Sequence, residues 1–546
     1  MRNKKTLIPT PSGTAVMSNA TSKPPAKRGR PKKTEQSPKA PTLVSPIINT
    51  NNATILRKPT DETATIATAK KRKSATDSVD TDKKRKVDLN GTADDSTGIV
   101  KKTFKRRNEK TTTTTSTQSS SSTTSTPNST RNTKIFKRRK PAEPLPLLHR
   151  PYKLDRILKG HAADDDDSTQ MNLWACEFEP NTTTGTVALC GSNNILFLDT
   201  HLGRYTKKYT HIEPNEEFLC LAWTALVGPK DLLDEDAAED AQCNILAAAG
   251  QLGSIKLFNT LQNECFRYLF GHTKQVRKLQ FSKSKPRWLF SCSDDMTVRL
   301  WDIGPPNVKH QENSSMCLAK FSLPTQASEP SALCIAPDLT KIMVGCVQGD
   351  LVRFEMKPTD IQKLEREPSD SDQPKNFRHK ALFPAGDEWH EGYIDDIFIL
   401  GQQRQSNTSV KPHGLDGWIV SRGSDDYETL IWNPKTSTKT DADISISLGW
   451  PDSNDHAGLR FKVVEKQGDK VLLAGDYEGQ IRIFNIGDGR KSRTLEDGTK
   501  EMFKPTKVLS HAMSSDVVRD LCISDDTKKI IAVDSANNVF IWNCSG

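Results

Sequence analysis

Tryptophan, tyrosine and cysteine are absent from the first 150 of the 546 residues, and phenylalanine occurs there only as Phe104 and Phe136. A segment so poor in aromatics cannot bury enough apolar surface to offset the entropy of ordering its backbone. The expectation is a disordered tail over residues 1–145 followed by a folded domain over 146–546. All nine Trp and all eleven Cys belong to the second part, which is long enough for a large core. Charge divides at the same place. Residues 1–150 carry 33 basic and 11 acidic side chains, and residues 151–546 carry 45 and 57.

Other absences exclude function classes. No run of 18 or more apolar residues occurs, so no membrane span is expected. The opening MRNKKTLIPTPSGTAV has basic residues but no apolar core of a secretory signal. The cysteines are odd in number, scattered and without a C-x-x-C pair, which points to reduced, buried thiols of an intracellular protein. No Cys/His cluster has zinc-ligand spacing. The sequence has no G-x-x-x-x-G-K-[ST], H-E-x-x-H, G-x-S-x-G or G-x-G-x-x-G. We therefore expect a non-enzymatic protein with no metal, no cofactor and no small-molecule substrate.

The tail is a series of basic clusters with polar spacers, among them TTTTTSTQSSSSTTSTPNST over residues 111–130. Its most specific cluster is Lys27-Arg28-Gly29-Arg30-Pro31-Lys32-Lys33, which resembles an AT-hook. A narrow A·T minor groove attracts inserted arginines, and Gly29 lets the backbone approach its floor. Pro31 favours an extended chain, and the lysines meet phosphates in a salt-dependent way. Lys70-Lys71-Arg72-Lys73 and Lys83-Lys84-Arg85-Lys86 resemble nuclear import signals; non-specific nucleic-acid affinity is the competing reading. Thr10, Ser37, Ser45 and Thr126 precede proline, as sites for proline-directed kinases do. These motifs place the protein in the nucleus, on chromatin, with A·T-rich DNA as a partner of the tail.

The second part repeats. Gly271–Asp302 opens with Gly-His, closes with Trp-Asp and holds three short alternating stretches between polar turns. This is a WD repeat. His272, Ser291, Asp295 and Trp301 occupy the positions of its hydrogen-bonded tetrad, a structural network rather than a catalytic pair. Weaker copies begin at NLWACEFEP, EEFLCLAWTAL, PSALCIAPDL, HEGYIDDIFILG, HAGLRFKVVEK and VVRDLCISDD. His390, Asp426 and Trp432 stand at tetrad positions of the fifth copy. Phe258, Phe354 and Phe484 replace the tryptophan in the second, fourth and sixth. The expected fold is all-β, a seven-bladed WD-repeat propeller preceded by the basic tail. The last copy lacks an outer strand, and YKLDRILKGH, residues 152–161, has the alternation to supply it and close the ring. The stretches 228–242, 358–388 and 402–416 read as long connections, and 228–242 and Asp164–Asp167 are acidic. An acidic propeller suits basic partners such as histone tails and leaves DNA contact to the tail.

NLWACEFEP, EEFLCLAWTAL, ILAAAGQLGSIKLFN and the Gly271–Asp302 unit resemble the WD-repeat half of the origin recognition complex-associated, leucine-rich repeat and WD repeat-containing family. They resemble more distantly the Polycomb embryonic ectoderm development propeller. The resemblance implies a chromatin scaffold that binds the origin recognition complex and nucleosomes or histone tails. Two departures stand out: the leucine-rich repeats of the first family have no counterpart here, and the methyl-lysine cage of the Polycomb-type propeller is incomplete. The cage positions fall on Trp174, Leu219 and Ala457 or Gly458, with Phe218, Tyr393 and Arg519 nearby; only Trp174 of the three is aromatic. Two other roles stay open. One is a histone-reading subunit of a Polycomb-like methyltransferase complex. The other is a substrate receptor of a cullin-type ubiquitin ligase, against which Ile303-Gly304 after Trp301-Asp302 counts.

Overall fold

A computed structural model of the chain describes Leu147 to Cys544, except residues 161–170, 261–263, 307–314, 367–372, 387–388, 402–413, 452–455 and 467–468. The AT-hook residues 27–33, the import clusters 70–73 and 83–86, the Ser/Thr-Pro steps and Asp164–Asp167 lie outside the described residues.

The described chain forms seven sheets, each with four antiparallel strands running from the centre outward, and these are the blades of a β-propeller. Blade three shows why the sequence folds this way. Its strands Val276–Phe281, Trp288–Ser293 and Thr297–Asp302 alternate or run apolar, and short polar turns at 282–287 and 294–296 separate them. Both faces of an inner blade strand pack on neighbouring blades, so Trp288–Ser293 is buried along its whole length. Apolar clusters lie between blades, as where Val298, Phe321, Val344 and Phe354 join blades three and four. Phe258, Phe354 and Phe484 are buried on the third strands of blades two, four and six.

Blade seven takes Val518–Ile523, Lys529–Asp534 and Asn538–Cys544 from the end of the described chain, and its outer strand is Tyr152–Lys159. The two ends pair antiparallel from Tyr152↔Cys544 to Lys159↔Asn538. Tyr152, Leu154 and Ile157 enter the core shared with blade six, and the Tyr152 hydroxyl donates to the Thr527 carbonyl.

The stretch 358–388, read from sequence as a connection, carries three elements among its described residues. It holds the helix Pro358–Arg366, then Lys375–Phe377, which pairs parallel to the outer strand of blade three. It ends in Ala381–Phe383, the outer strand of blade four. Blade six repeats the arrangement: Met502–Phe503 adds parallel to the outer strand of blade five before Lys507–Leu509 completes blade six. The acidic stretch 228–242 opens with the short helix Gly228–Leu232 and ends in the second strand of blade two, Gln242–Gly250.

Candidate functional site

One irregularity recurs around the ring. In six blades the pairing of the inner strand with the second strand shifts after its first residue. The shifts lie between Leu173/Ala175, Phe218/Cys220, Val276/Lys278, Pro330/Ala332, Ile394/Asp396 and Val518/Asp520. Each is a bulge, and a bulge re-aims the side chain of its extra residue. The extra residues are Trp174, Leu219, Arg277, Ser331, Asp395 and Arg519. Each inner strand starts beside the end of the second strand, so these residues ring one mouth of the central channel together with the turns between second and third strands.

Close backbone approach makes the mouth compact. A Cβ on Gly191 would stand 1.6 Å from the Asn172 carbonyl oxygen, and one on Gly250 would stand 1.7 Å from that of Glu217. Only glycine fits at these two equivalent positions.

Trp174 is half-buried, and its indole N–H donates to Glu217 Oε1 at 2.7 Å. Arg519 lies over the ring, with its guanidinium carbon 4.3 Å from the ring centroid, and its Nη1 donates to the Leu173 carbonyl at 3.0 Å. Trp174 and Arg519 are the two proposed face residues that the structure brings together. Phe218 is not on the face. It precedes the bulge of its strand, so it turns into the core between blades one and two, fully buried. The ammonium of Lys256 lies 5.3 Å from its ring centroid and pairs with Glu216 in a wholly buried ion pair. Tyr393 is half-buried on blade five; burial pushes its hydroxyl up to about 12, with Arg277 opposing.

Below the mouth, charged side chains cross the channel. Arg460 Nη2 donates to the Leu219 carbonyl at 2.7 Å, and its Nη1 lies 3.4 Å from both the Trp174 carbonyl and Asp520 Oδ2. A single guanidinium from blade six thereby ties blades seven, one and two. Burial acts to lower its pKa, and Asp520 together with Asp396, Cys220 and Cys190 outweighs it, so the net direction is up. Lys278 of blade three pairs with Asp396 of blade five at 3.0 Å, and Lys462 of blade six with Glu177 of blade one at 2.6 Å. A cavity of about 430 Å³ remains among these pairs.

The tetrad residues meet in blade three. His272 Nδ1 lies 2.8 Å from Asp295 Oδ2, and its Nε2 lies 2.7 Å from Ser291 Oγ, which also accepts the Trp301 indole N–H at 2.8 Å. In blade five His390 pairs with Asp426, and Ser421 Oγ lies 2.7 Å from His390 Nε2 and accepts from Trp432 at 2.9 Å. These are buried chains that join strands of a blade, and they face no open site.

Sequence reasoning missed Arg422. It is fully buried, with its guanidinium carbon 4.1 Å from the Trp450 ring centroid and 5.4 Å from that of Tyr477, and it donates to the Tyr477 hydroxyl at 2.8 Å. Asp395, also buried, lies 3.5 Å from it and accepts the Gly458 and Leu459 amides at 2.6 and 3.3 Å. The available signal was a charge within the otherwise apolar or small strand IVSRG.

Ring, bulges and tetrads define a WD-repeat β-propeller protein. Residues 150–363 match the family described as "Leucine-rich repeat and WD repeat-containing protein 1, WD domain", and the propeller is similar to that WD domain. The human protein of that name is 25% identical over 421 residues, 74% of this chain and 58% of its own length. The Xenopus tropicalis one is 24% identical over 397 residues, covering 69% and 52%. The chain spans about half the length of these curated relatives. Polycomb group protein FIE1 of Oryza sativa subsp. japonica is 20% identical over 341 residues, covering 61% of this chain and 77% of its own. In fold, the chain is similar to one in the crystal structure of the Chaetomium thermophilum polycomb repressive complex 2. The TM-score is 0.55 at 12% identity, covering 73% of this chain and 99% of that one.

Proposed function

We propose that this protein is a non-enzymatic chromatin scaffold. Its propeller binds the origin recognition complex and nucleosomal histone tails, and its tail, through Arg28 and Arg30, holds A·T-rich DNA. The match of residues 150–363 to the WD domain of the leucine-rich repeat and WD repeat-containing family carries the reading. The mouth supports it. Glu213, Asp425 and Glu478 are exposed and Glu217 half-exposed on its turns, against exposed Lys274 and half-exposed Arg277 and Arg519, a small acidic excess that favours a basic peptide. A tail joining two modest affinities raises retention through effective concentration. The import clusters 70–73 and 83–86 would deliver the protein to the nucleus.

The test is affinity purification of the full chain from nuclear extract with nuclease treatment, followed by mass spectrometry. Origin recognition complex subunits that survive the nuclease support the reading. Methyltransferase subunits or a cullin adaptor in their place overturn it. Deleting residues 27–33 tests the hook separately, and unchanged chromatin retention would remove it from the mechanism.

A further inference from the structure

The acidic excess of the propeller is not uniform. The outer strand of blade seven, Tyr152–Lys159, carries Lys153, Arg156 and Lys159 against Asp155, and Asp155 is itself paired with Arg156 at 3.4 Å. The outer strand of blade one, Arg204–Thr210, carries Arg204, Lys207 and Lys208 and no acidic residue. All six basic residues are exposed. The two strands are neighbours on the rim. Arg156 Nη1 donates to the Leu202 carbonyl at 2.6 Å, and the Tyr205 hydroxyl donates to the Lys159 carbonyl at 2.6 Å. Tyr152, Leu154 and Ile157 point toward blade six, which leaves Lys153 and Arg156 on the side of blade one. The result is a basic stripe on the rim of a propeller whose sequence carries an acidic excess, from which Lys207 turns away to donate to the Thr260 carbonyl beside blade two at 3.0 Å.

Edge lysines also keep a strand from pairing with another chain. That role would spread them over the ring. The edge strands elsewhere read ECFRYL, KNF, ALF, MF and KVL, with no more than one basic residue each. The concentration on two adjacent edges calls for a polyanion.

We infer that this stripe is a second DNA-binding surface, one that lies along the phosphate backbone of duplex DNA and reads no sequence. From Lys153 to Lys159 the strand runs about 20 Å, the rise of roughly six base pairs. The chain also favours DNA over an acidic protein. The basic cluster Lys134–Lys140 precedes Tyr152 by only twelve residues of sequence. Lys153 and Arg204 have no side-chain partner among the described residues, so their charges are available.

The test uses the full chain. Lys153→Gln with Arg204→Gln removes two phosphate contacts, and the slope of log Kobs against log salt for a 30-base-pair duplex should shrink by about 2. Arg28→Ala with Arg30→Ala reports the tail alone, so failure of the hook and failure of the stripe are separable. In parallel, 4-thiothymidine in the duplex should cross-link to peptides spanning 152–159 and 204–210. An unchanged slope with cross-links confined to residues 1–146 overturns the inference. So does an unchanged slope together with weaker binding of a poly-glutamate peptide, which would assign the stripe to an acidic protein. Matching melting temperatures of variant and parent show that the fold is retained. If they differ, the cross-link positions on the unsubstituted protein decide.

Discussion

Arg519 lies over one face of Trp174, with its guanidinium carbon 4.3 Å from the ring centroid. The aromatic face at the channel mouth therefore already holds a cation. Wild-type protein should bind trimethyl-lysine and unmodified histone peptides within about twofold of each other. Arg519→Ala uncovers the ring and should favour the trimethylated peptide by roughly two- to fivefold, the size of one exposed cation–π contact. Calorimetry on matched peptides checks both.

Ser291 accepts from Trp301 and lies within hydrogen-bond reach of His272 in a site closed to water. Ser291→Ala leaves two buried nitrogens without partners, a cost of about 2–4 kcal/mol. The melting temperature should fall by several degrees. Ser284→Ala, exposed on the turn between the first two strands of the same blade, should leave it within about one degree.

Arg460 serves two carbonyls and one carboxylate at once. Arg460→Ala strands the Asp520 carboxylate, which is nearly buried, and should destabilise the propeller by about 3 kcal/mol. Arg460→Lys should not restore it, because a point charge cannot span the three acceptors that the planar fork reaches. Thermal melts of the two variants distinguish a charge effect from a bracing effect.

Asp395 is wholly buried, and burial pushes its carboxyl up to about 7, with the Arg422 guanidinium opposing. The folded state therefore holds this proton more tightly than the unfolded chain. Stability contributed by the protonated carboxyl is present below the unfolded pKa near 3.8 and is lost as pH rises toward 7. Asp395→Asn removes the titration. The difference in melting temperature between variant and parent should grow in favour of the variant between about pH 4 and pH 7, and should be flat above that window.

Tyr152 and Ile157 anchor the closing strand to the core between blades six and seven. Tyr152→Ala with Ile157→Ala should loosen that strand first. Hydrogen exchange should speed up in 152–159 and 538–544, while blade three keeps its protection.

Blade three was legible because Gly271-His272 and Trp301-Asp302 bracket three alternating stretches, and blade five through His390, Asp426 and Trp432. The outer strand of blade four was not. Ala381–Phe383 is three residues long and follows a helix and a strand that belongs to another sheet, so local periodicity has nothing to register. The same holds for Met502–Phe503, whose pairing is set by a neighbouring blade. At the mouth, Trp174 and Arg519 were named from the resemblance, but their stacking was not foreseen. It depends on two bulges in blades that meet only when the ring closes. Phe218 was misplaced by one position, because a bulge inverts the inside–outside order that alternation assumes.

Closing the ring with Tyr152–Lys159 also sets a clock on synthesis. Tyr152 pairs with Cys544, so the strand emerges from the ribosome nearly 400 residues before its partner. At roughly 5–20 residues per second it waits about 20–80 s with an open edge. Co-translational chaperones therefore have a defined target in the nascent chain: one early strand, held unpaired until the last blade arrives.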